Sequence, residues 1–264
     1  MKVYVINLDK DAERLDFMRA QFRSLNLDFE RVSAVLLNGD QRSKLSPQPQ
    51  TVLSNAEVGC FLSHIKVWTL IVQSGDPYAC VFEDDVAISA DASELLSSTH
   101  WIPKHAGLIK LETAFTLMEL GKKRCPVVPP YEAVVTQSNY AGSAGYIISR
   151  QTCLKLLQDS KYIGEAVDLF LFSARLSVLS YQIVPAPCVQ LLNLDKASFD
   201  VEGPVFSSHI AGTYSLDQRA KRSISVRIRR RIVREARKWL YVMSLETVPF
   251  AFEGWGDRRR GKSD

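Results

Sequence analysis

One stretch decides the fold of this chain: Ala79-Cys80-Val81-Phe82-Glu83-Asp84-Asp85-Val86. An apolar run of this length that ends in polar residues predicts a strand buried on both faces of a parallel sheet. Ligand sites in open α/β sheets lie at the carboxyl ends of such strands. Three adjacent carboxylates repel one another there, and a divalent cation such as Mg²⁺ or Mn²⁺ offsets that charge with oxygen ligands. We therefore predict a metal site at Glu83, Asp84 and Asp85, with an acidic, solvated turn as the alternative.

The composition indicates one globular domain with a chemically different C-terminal tail. The chain has 264 residues, of which 46% are hydrophobic and 23% are charged, so it can bury a sizeable core. From Arg219 to the C-terminus, Lys and Arg number 14 and Asp and Glu only 5, although the formal net charge of the whole chain is +4. We predict a domain at residues 1–215 and a basic tail at residues 216–264.

The tail carries apolar residues at helical spacing among many arginines. Ile224, Ile228, Ile232 and Trp239 recur along it, and basic residues fill most positions between them. Such a basic amphipathic helix is typical of segments that lie on anionic membranes, so we predict peripheral membrane contact through the segment from Arg222 to Trp239. A helix that packs on the domain and a nucleic-acid contact are the alternatives. No stacking or recognition module accompanies the basic residues, and we predict no nucleic-acid partner.

The cysteine pattern indicates free thiols. Five scattered cysteines form no C-x-x-C pair and mostly lie among apolar residues, which predicts buried, unpaired thiols of the kind found in a reducing cytoplasm. A zinc site or a catalytic thiol has no spacing to support it. The first residues lack the apolar segment of a signal peptide, and no run of about 18 apolar residues is present, so we expect a cytoplasmic protein.

The N-terminal part predicts a βαβ unit, the usual opening of a nucleotide-binding sheet. The apolar pattern gives a strand at residues 2–8, a helix to about residue 26 and a strand at residues 29–35. Neither G-x-G-x-x-G nor a P-loop is present, which argues against a dinucleotide or P-loop fold. Asn7 at the strand end and Arg14 in the helix are candidate nucleotide contacts, Arg14 through phosphate. A solvated helix face is the alternative for Arg14.

A long helix precedes the acidic strand. Residues 36–55 are largely polar and contain two prolines, which predicts a loop long enough to be a mobile flap. Ser54 or Asn55 then caps a helix that has a broad apolar face and ends near Gly75. His64 lies beside that face, where a satisfied core histidine is more common than a catalytic one.

The second half of the chain offers further candidates. Residues 108–112 predict a strand, and residues 121–132 predict a basic, proline-rich loop. Small residues at 142–145 allow close backbone approach to a ligand, or form a tight turn without one. Asp168 precedes a strongly apolar run, where it would be a helix cap or a general base. Gln190 ends a late strand.

Several motifs together resemble glycosyltransferase family 25, in the order that the family has them and over about residues 1–190. The motifs are V-I-N-L followed by E-R (Val5 to Leu8, then Glu13 and Arg14), C-F-x-S-H (Cys60 to His64), V-F-E-D-D-V (Val81 to Val86), L-E-T (Leu111 to Thr113), G-T-A-G-Y-I-I-S-R (Gly142 to Arg150, with Ser143 for Thr) and P-V-D-L (Ala166 to Leu169, with Ala166 for Pro).

The resemblance implies an α/β fold of the GT-A type, with a mostly parallel central sheet flanked by helices. It also implies a UDP-sugar donor, typically UDP-galactose, a divalent Mn²⁺ or Mg²⁺ ion, and a lipid-linked lipooligosaccharide core acceptor at the inner face of the bacterial inner membrane. Asp85, assisted by Glu83 or Asp84, would hold the ion at the donor diphosphate. Asp168 would take the proton of the acceptor hydroxyl in an inverting transfer.

The resemblance further implies which side chains contact the substrates. Candidate donor or nucleotide contacts are Asn7, Leu8, Arg14, His64, Glu83 and Asp84. Candidate contacts to the acceptor or to the transferred sugar are Glu112, Ser143, Tyr146 and Gln190.

Two other functions remain open to the sequence. A Mg²⁺-dependent phosphotransfer domain would use the acidic strand end, but it needs a further aspartate at another strand end and leaves residues 142–146 unexplained. A non-enzymatic binder of membranes or nucleic acid would act through the tail, and it leaves the three acids without a purpose.

Overall fold

On the N-terminal side of the central sheet, neighbouring strands run parallel. A helix connects each of these strands to the next and returns the chain to the end of the sheet where the previous strand began. The computed structural model describes residues 1–50, 52–136, 140–173, 177–194 and 243–251. The predicted tail helix between Arg222 and Trp239 lies outside the described residues. Among the residues described, no helix combines the length and the apolar content needed to cross a bilayer.

The helices and strands alternate for most of the chain. In chain order they are β1 (Lys2–Asn7), α1 (Ala12–Ser24), β2 (Glu30–Ser33), α2 (Gly39–Ser43), α3 (Asn55–Ser74), β3 (Tyr78–Glu83), β4 (Val86–Ile88), a 3₁₀ turn (Ala90–Ala92), α4 (Ser93–Ser97), β5 (Ala106–Lys110), β6 (Glu112–Thr113), β7 (Leu117–Pro126), β8 (Glu132–Thr136), β9 (Gly145–Ser149), α5 (Arg150–Asp159), α6 (Val167–Leu171), β10 (Leu179–Val184), β11 (Cys188–Gln190), α7 (Leu191–Leu194) and β12 (Met243–Thr247).

Nine of the twelve described strands form a sheet in the order β12-β7-β8-β10-β5-β9-β3-β1-β2, and the other three form a small sheet in the order β4-β11-β6. The strands β2, β1 and β3 are parallel neighbours, as are β5 and β10. The other five neighbouring pairs are antiparallel, so the prediction of a mostly parallel sheet is wrong. The cause is the insertion of β9 between β3 and β5 and the short connection from β7 to β8, which can join only antiparallel strands.

Strand β7 corrects a second expectation. Residues 121–132 were expected to form a loop, but most of the first half of this segment lies in β7. Met118 and Leu120 bury one side of the strand, while Lys122 and Lys123 face solvent. Pro126 ends the strand, so the prolines mark its end and the following turn and do not prevent it from forming.

Residues 243–251 correct the domain boundary. They fall inside the predicted tail, yet β12 pairs with β7 and forms one edge of the nine-stranded sheet. Phe250 and Ala251 are buried, and Phe250 bridges to Ala186. The Thr113 hydroxyl donates a hydrogen bond of 2.6 Å to the Val248 carbonyl. Because many of the residues before and after this stretch are basic, the sequence did not predict an edge strand here.

Helix α3 follows the sequence expectation closely. The Ser54 hydroxyl accepts from the Glu57 backbone N–H and the Glu57 carboxylate accepts from the Ser54 N–H, a capping box that satisfies two otherwise unpaired donors. Gly75 ends the helix at φ +80°, a left-handed conformation that suits glycine. The apolar face packs on β1 and β3, in a cluster that includes Phe61, Trp68 and Ile71.

The segment before α3 contains local structure that the polar composition did not predict. Residues 39–43 form helix α2, capped by the Asn38 side chain with a reciprocal bond from Gln41. Arg42 then ties the segment to the start of α3 through the Leu53 carbonyl and the Asn55 side chain. The polar residues here are used for capping and cross-linking bonds.

Candidate active site

A cavity of about 560 Å³ opens at the carboxyl end of β3. Strand β3 ends at Glu83, and Asp84 and Asp85 form the turn into β4. The end of β1, the segment 34–37, the first residues of α3 and α6, and the turn at residues 142–143 complete the wall. The predicted acidic strand end therefore faces a cavity large enough for a small ligand, as expected for this place in an α/β sheet.

Asp84 is held by the protein on both oxygens. The Arg14 guanidinium donates to Oδ1 at 2.8 Å, and the Asn7 side chain donates to Oδ2 at 2.7 Å. Arg31 donates to the Asn7 Oδ1 at 2.9 Å, which fixes the orientation of that amide. Burial raises the pKa of Asp84, and the hydrogen bonds and charge of Asn7 and Arg14 oppose that rise. Asp84 thus anchors α1 to the acidic turn, and Arg14 does not lie on a solvated helix face.

Asp85 has much weaker compensation. The Gln190 side chain donates to Oδ1 at 3.4 Å, and the Arg14 guanidinium lies 3.8 Å from Oδ2. Burial, followed by the charge of Glu83, raises the pKa of Asp85 to about 7. A divalent cation at this carboxylate would relieve both effects, because it supplies the positive charge that the surrounding protein lacks. Asp85 therefore fits a metal ligand better than the other two acids.

Glu83 points to the opposite side of the strand from Asp84, towards α3. Its Oε1 accepts a hydrogen bond of 2.7 Å from the Ser143 hydroxyl. The His64 Nε2 lies 3.4 Å from the same oxygen. Burial raises the pKa of Glu83, but His64 and Ser143 more than offset this, so that the pKa lies below its ordinary value.

A buried hydrogen-bond network stands behind Glu83. The Tyr146 hydroxyl lies 2.9 Å from the Trp68 Nε1 and 2.9 Å from the His64 Nδ1. Because the indole N–H can only donate, it uses the Tyr146 oxygen as acceptor and leaves the hydroxyl proton for His64 Nδ1. The neutral imidazole then carries its own proton on Nε2, on the side of Glu83. This network sets the orientation of the His64 ring.

A second buried group supports the turn that carries Ser143. Lys110 donates to the Glu112 carboxylate at 2.9 Å and to the Ala141 and Gly142 carbonyls at 3.1 and 2.8 Å. The Glu112 Oε1 accepts from the Ala144 N–H at 3.0 Å. Burial raises the pKa of Glu112, and Lys110 opposes that rise.

Asp168 lies in the first turn of α6, where it is neither the cap nor part of the buried core. The N-cap position is Ala166, so the helix-cap alternative is wrong. The Asp168 Oδ2 accepts from the Gly142 N–H at 3.2 Å, and Oδ1 accepts from the Leu169 N–H at 2.8 Å. The carboxylate lies on the cavity wall.

The cavity brings together ten of the twelve predicted site residues, and two lie behind its wall. The ten are Asn7, Leu8, Arg14, His64, Glu83, Asp84, Asp85, Ser143, Asp168 and Gln190. Glu112 and Tyr146 are fully buried and do not line the cavity, so the expectation that they touch sugar directly is not met. Each contacts a part of the cavity wall from behind: Glu112 binds the turn at 141–144, and Tyr146 binds His64.

Cys60 is a cavity residue that the sequence reasoning missed. The expected buried thiols are found at Cys80, Cys153 and Cys188, but Cys60 and Cys125 are only partly buried. Burial, followed by the charge of Glu83, raises the pKa of the Cys60 thiol well above its ordinary value. The spacing of four residues from Cys60 to His64, which places both on one helix face, was the available signal.

Comparison with known proteins identifies the family of this chain. The profile described as glycosyltransferase family 25 (LPS biosynthesis protein) matches residues 1–171. "Lacto-N-neotetraose biosynthesis glycosyltransferase LgtE" of Neisseria meningitidis is 28% identical and matches over 86% of either chain. LgtB of Neisseria gonorrhoeae is 30% identical over 74% of this chain and 76% of its own. "Lipooligosaccharide biosynthesis protein lic2B" of Haemophilus influenzae is 25% identical over 86% of either chain.

Similarity to solved structures is low. A Drosophila β1,4-galactosyltransferase 7 in complex with manganese, UDP-Gal and xylobiose superposes with a TM-score of 0.34 and 11% identity, over 81% of this chain and 79% of that chain. No conclusion rests on a likeness of this size.

Proposed function

Because the chain belongs to glycosyltransferase family 25, we propose that it transfers galactose from UDP-galactose to an acceptor sugar of a lipooligosaccharide core. The relatives named above act in the biosynthesis of lacto-N-neotetraose or lipooligosaccharide, which supports this choice of acceptor. In this proposal the sheet is of the GT-A type and the reaction inverts the anomeric configuration. The observation that carries the proposal is Asp85, a poorly compensated carboxylate in a cavity at the end of β3.

A divalent ion, Mn²⁺ or Mg²⁺, would be held by Asp85 with help from Glu83. Bound there, it would neutralise the donor diphosphate and stabilise the departing nucleotide. Asp84 has both oxygens engaged by Arg14 and Asn7, so its part is to position the turn. Asn7 and Leu8, at the end of β1, line the cavity beside Arg14 and are proposed to contact the nucleotide.

Asp168 is the proposed general base. Hydrogen bonds from the Gly142 and Leu169 N–H groups hold its carboxylate in place on the cavity wall. An inverting transfer needs a carboxylate that accepts the proton of the attacking acceptor hydroxyl. Ser143 and Gln190 lie at the same cavity and are proposed sugar contacts.

We also propose that the basic tail brings the enzyme to an anionic membrane. A lipid-linked acceptor at the inner face of the inner membrane would then lie within reach of the cavity. The cluster of arginines and isoleucines between Arg222 and Trp239 supports this proposal through its composition.

The test is an assay of a panel of UDP-sugars with Mn²⁺ and with a chelator, using short glycosides of glucose, galactose and N-acetylglucosamine as acceptors. We expect metal-dependent turnover of UDP-galactose in the wild type and in the surface control Asp16→Asn, and none in Asp85→Asn. Asp16 is a suitable control because its side chain is 69% exposed. Turnover that survives in Asp85→Asn, or no turnover of any sugar nucleotide, would overturn the proposal.

A further inference from the structure

Three potential metal ligands from two elements converge on the cavity wall. The Cys60 sulfur, a His64 ring nitrogen and a Glu83 carboxylate oxygen all lie within 4.8 Å of one another. Cys60 and His64 are one turn apart on α3, and Glu83 ends the neighbouring strand β3. All three residues line the cavity, so an ion in solution can reach them.

His64 has an unsatisfied nitrogen at this point. Its side chain is fully buried, and its Nε2 has no hydrogen-bond partner among the described residues. A buried polar atom without a partner destabilises the folded state, so such an atom calls for a ligand or another explanation. A metal ion that binds Nε2 would remove this cost.

The other ring nitrogen of His64 already has a hydrogen-bond partner. The Nδ1 is engaged by the Tyr146 hydroxyl at 2.9 Å, so only Nε2 is available to the cavity. In ligating histidines the second ring nitrogen commonly donates its proton to a neighbouring oxygen, and this bond fixes the ring orientation. An ion at Nε2 displaces the proton there, so the neutral ring would carry its proton on Nδ1. The bond to Tyr146 would then reverse, with Nδ1 donating to the Tyr146 oxygen and the hydroxyl proton turned away from His64.

The distances suit a tetrahedral ion. Zinc bonds of about 2.0–2.1 Å to nitrogen and oxygen place two ligands about 3.3 Å apart at the tetrahedral angle. The His64 Nε2 and the Glu83 Oε1 are 3.4 Å apart, although they do not form a hydrogen bond. The Cys60 sulfur lies within 4.8 Å of both atoms, and a shift of its side chain would complete a third bond of about 2.3 Å.

From this geometry we propose that Cys60, His64 and Glu83 form a binding site for a thiophilic divalent ion such as Zn²⁺. A thiolate and an imidazole favour Zn²⁺ over Mn²⁺ and Mg²⁺, whereas the oxygens of Asp85 favour the harder ions. The site therefore differs from the one proposed for the donor metal in its other ligands, although Glu83 is a proposed ligand of both. A further consequence rests on the proposed function: Zn²⁺ that engages Glu83 inhibits the transfer reaction.

Cobalt provides a direct test, because a Co²⁺–thiolate bond gives a near-ultraviolet charge-transfer band that carboxylate ligands do not. We expect this band at one Co²⁺ per chain in the wild type, and its loss on addition of Zn²⁺. Cys60→Ser removes the thiolate and should abolish the band. The control Cys125→Ser changes the other partly buried cysteine, on β7, and should retain the band.

Asp85→Asn separates this inference from the proposed function. It should retain the Co²⁺–thiolate band while it loses any transfer activity. A wild type without the band, or a band of equal strength in Cys60→Ser, overturns the zinc site whatever the activity assay shows. If the band behaves as expected but Zn²⁺ inhibits wild type and Cys60→Ser equally, the site stands and the inhibitory consequence is overturned.

Discussion

Lys110 and Glu112 form a buried ion pair, 2.9 Å apart, beneath the turn that presents Ser143 to Glu83. The two side chains are 3% and 1% exposed. Lys110 also binds two carbonyls of the turn, and Glu112 binds the Ala144 N–H. The position of the turn, and with it the cavity wall, therefore depends on two buried charges that do not line the cavity.

Loss of one charge of this pair should destabilise the whole domain. Glu112→Gln leaves the Lys110 ammonium buried without a counter-charge, and we expect a loss of about 3–5 kcal/mol in the free energy of unfolding. Urea denaturation measures this. Asp16→Asn, which breaks an exposed pair with Arg19, should cost no more than about 1 kcal/mol. The double variant Lys110→Met/Glu112→Gln should recover part of the loss; if it is as unstable as the sum of both single variants, the pair is not coupled as described.

The contrast between Asp84 and Glu112 shows how far the sequence could lead. The acidic strand end was predictable, because an apolar run followed by three acids is a local pattern. The role of each acid was not, since it depends on Arg14 and Asn7, which lie about 70 or more residues away in sequence. Likewise, nothing local distinguishes Glu112, which pairs with Lys110 in the interior, from an acid that contacts a sugar.

The relative direction of the strands could not be predicted from the sequence for a similar reason. The parallel arrangement of β1, β2 and β3 follows from the βαβ pattern. Strand β9 is as apolar as its neighbours but runs antiparallel to both, because the chain enters it from the turn at 141–144. The apolar content of a strand reports its burial and carries no information about its direction.

Asp85→Asn should stabilise the metal-free protein at alkaline pH. The pKa of Asp85 is raised to about 7, so between its unfolded value and 7 the folded state binds a proton that the unfolded state does not. Stability contributed by this group is therefore lost as pH rises from about 4 towards 8, by about 4 kcal/mol. The neutral amide avoids this loss.

Thermal melts in the presence of a chelator compare the two proteins. We expect Asp85→Asn to melt above wild type at pH 8, with the difference shrinking towards pH 5. Saturating Mn²⁺ should raise the melting temperature of wild type and leave the variant nearly unchanged. A variant that is less stable than wild type at pH 8 without metal would show that the ionised Asp85 carboxylate does not destabilise the folded protein.

Asp168→Asn should separate catalysis from folding. The amide oxygen can still accept from the Gly142 N–H, so the turn and α6 keep their contact. The amide cannot accept the acceptor proton, and we expect kcat to fall by about 10²–10⁴ with little change in KM for the donor. Steady-state kinetics with UDP-galactose would measure both constants. Asp159→Asn, at the exposed end of α5, is the matched control and should leave kcat unchanged. An Asp168→Asn enzyme with near wild-type kcat would require a different base.

Gly59 and Gly39 provide a paired test of how α3 shapes the cavity. A Cβ at position 59 would lie 2.4 Å from the Val35 carbonyl oxygen, whereas a Cβ at position 39 would meet nothing within 4 Å. Gly59→Ala should therefore cost about 1–3 kcal/mol through overpacking, despite a gain of about 1 kcal/mol in helix propensity. It should also raise KM, because the displaced segment 34–37 lines the cavity. Gly39→Ala, in the exposed helix α2, should be neutral or stabilise by up to about 1 kcal/mol.

Equal effects of the two substitutions on the free energy of unfolding and on KM would mean that the close contact of α3 with Val35 does not define the cavity wall.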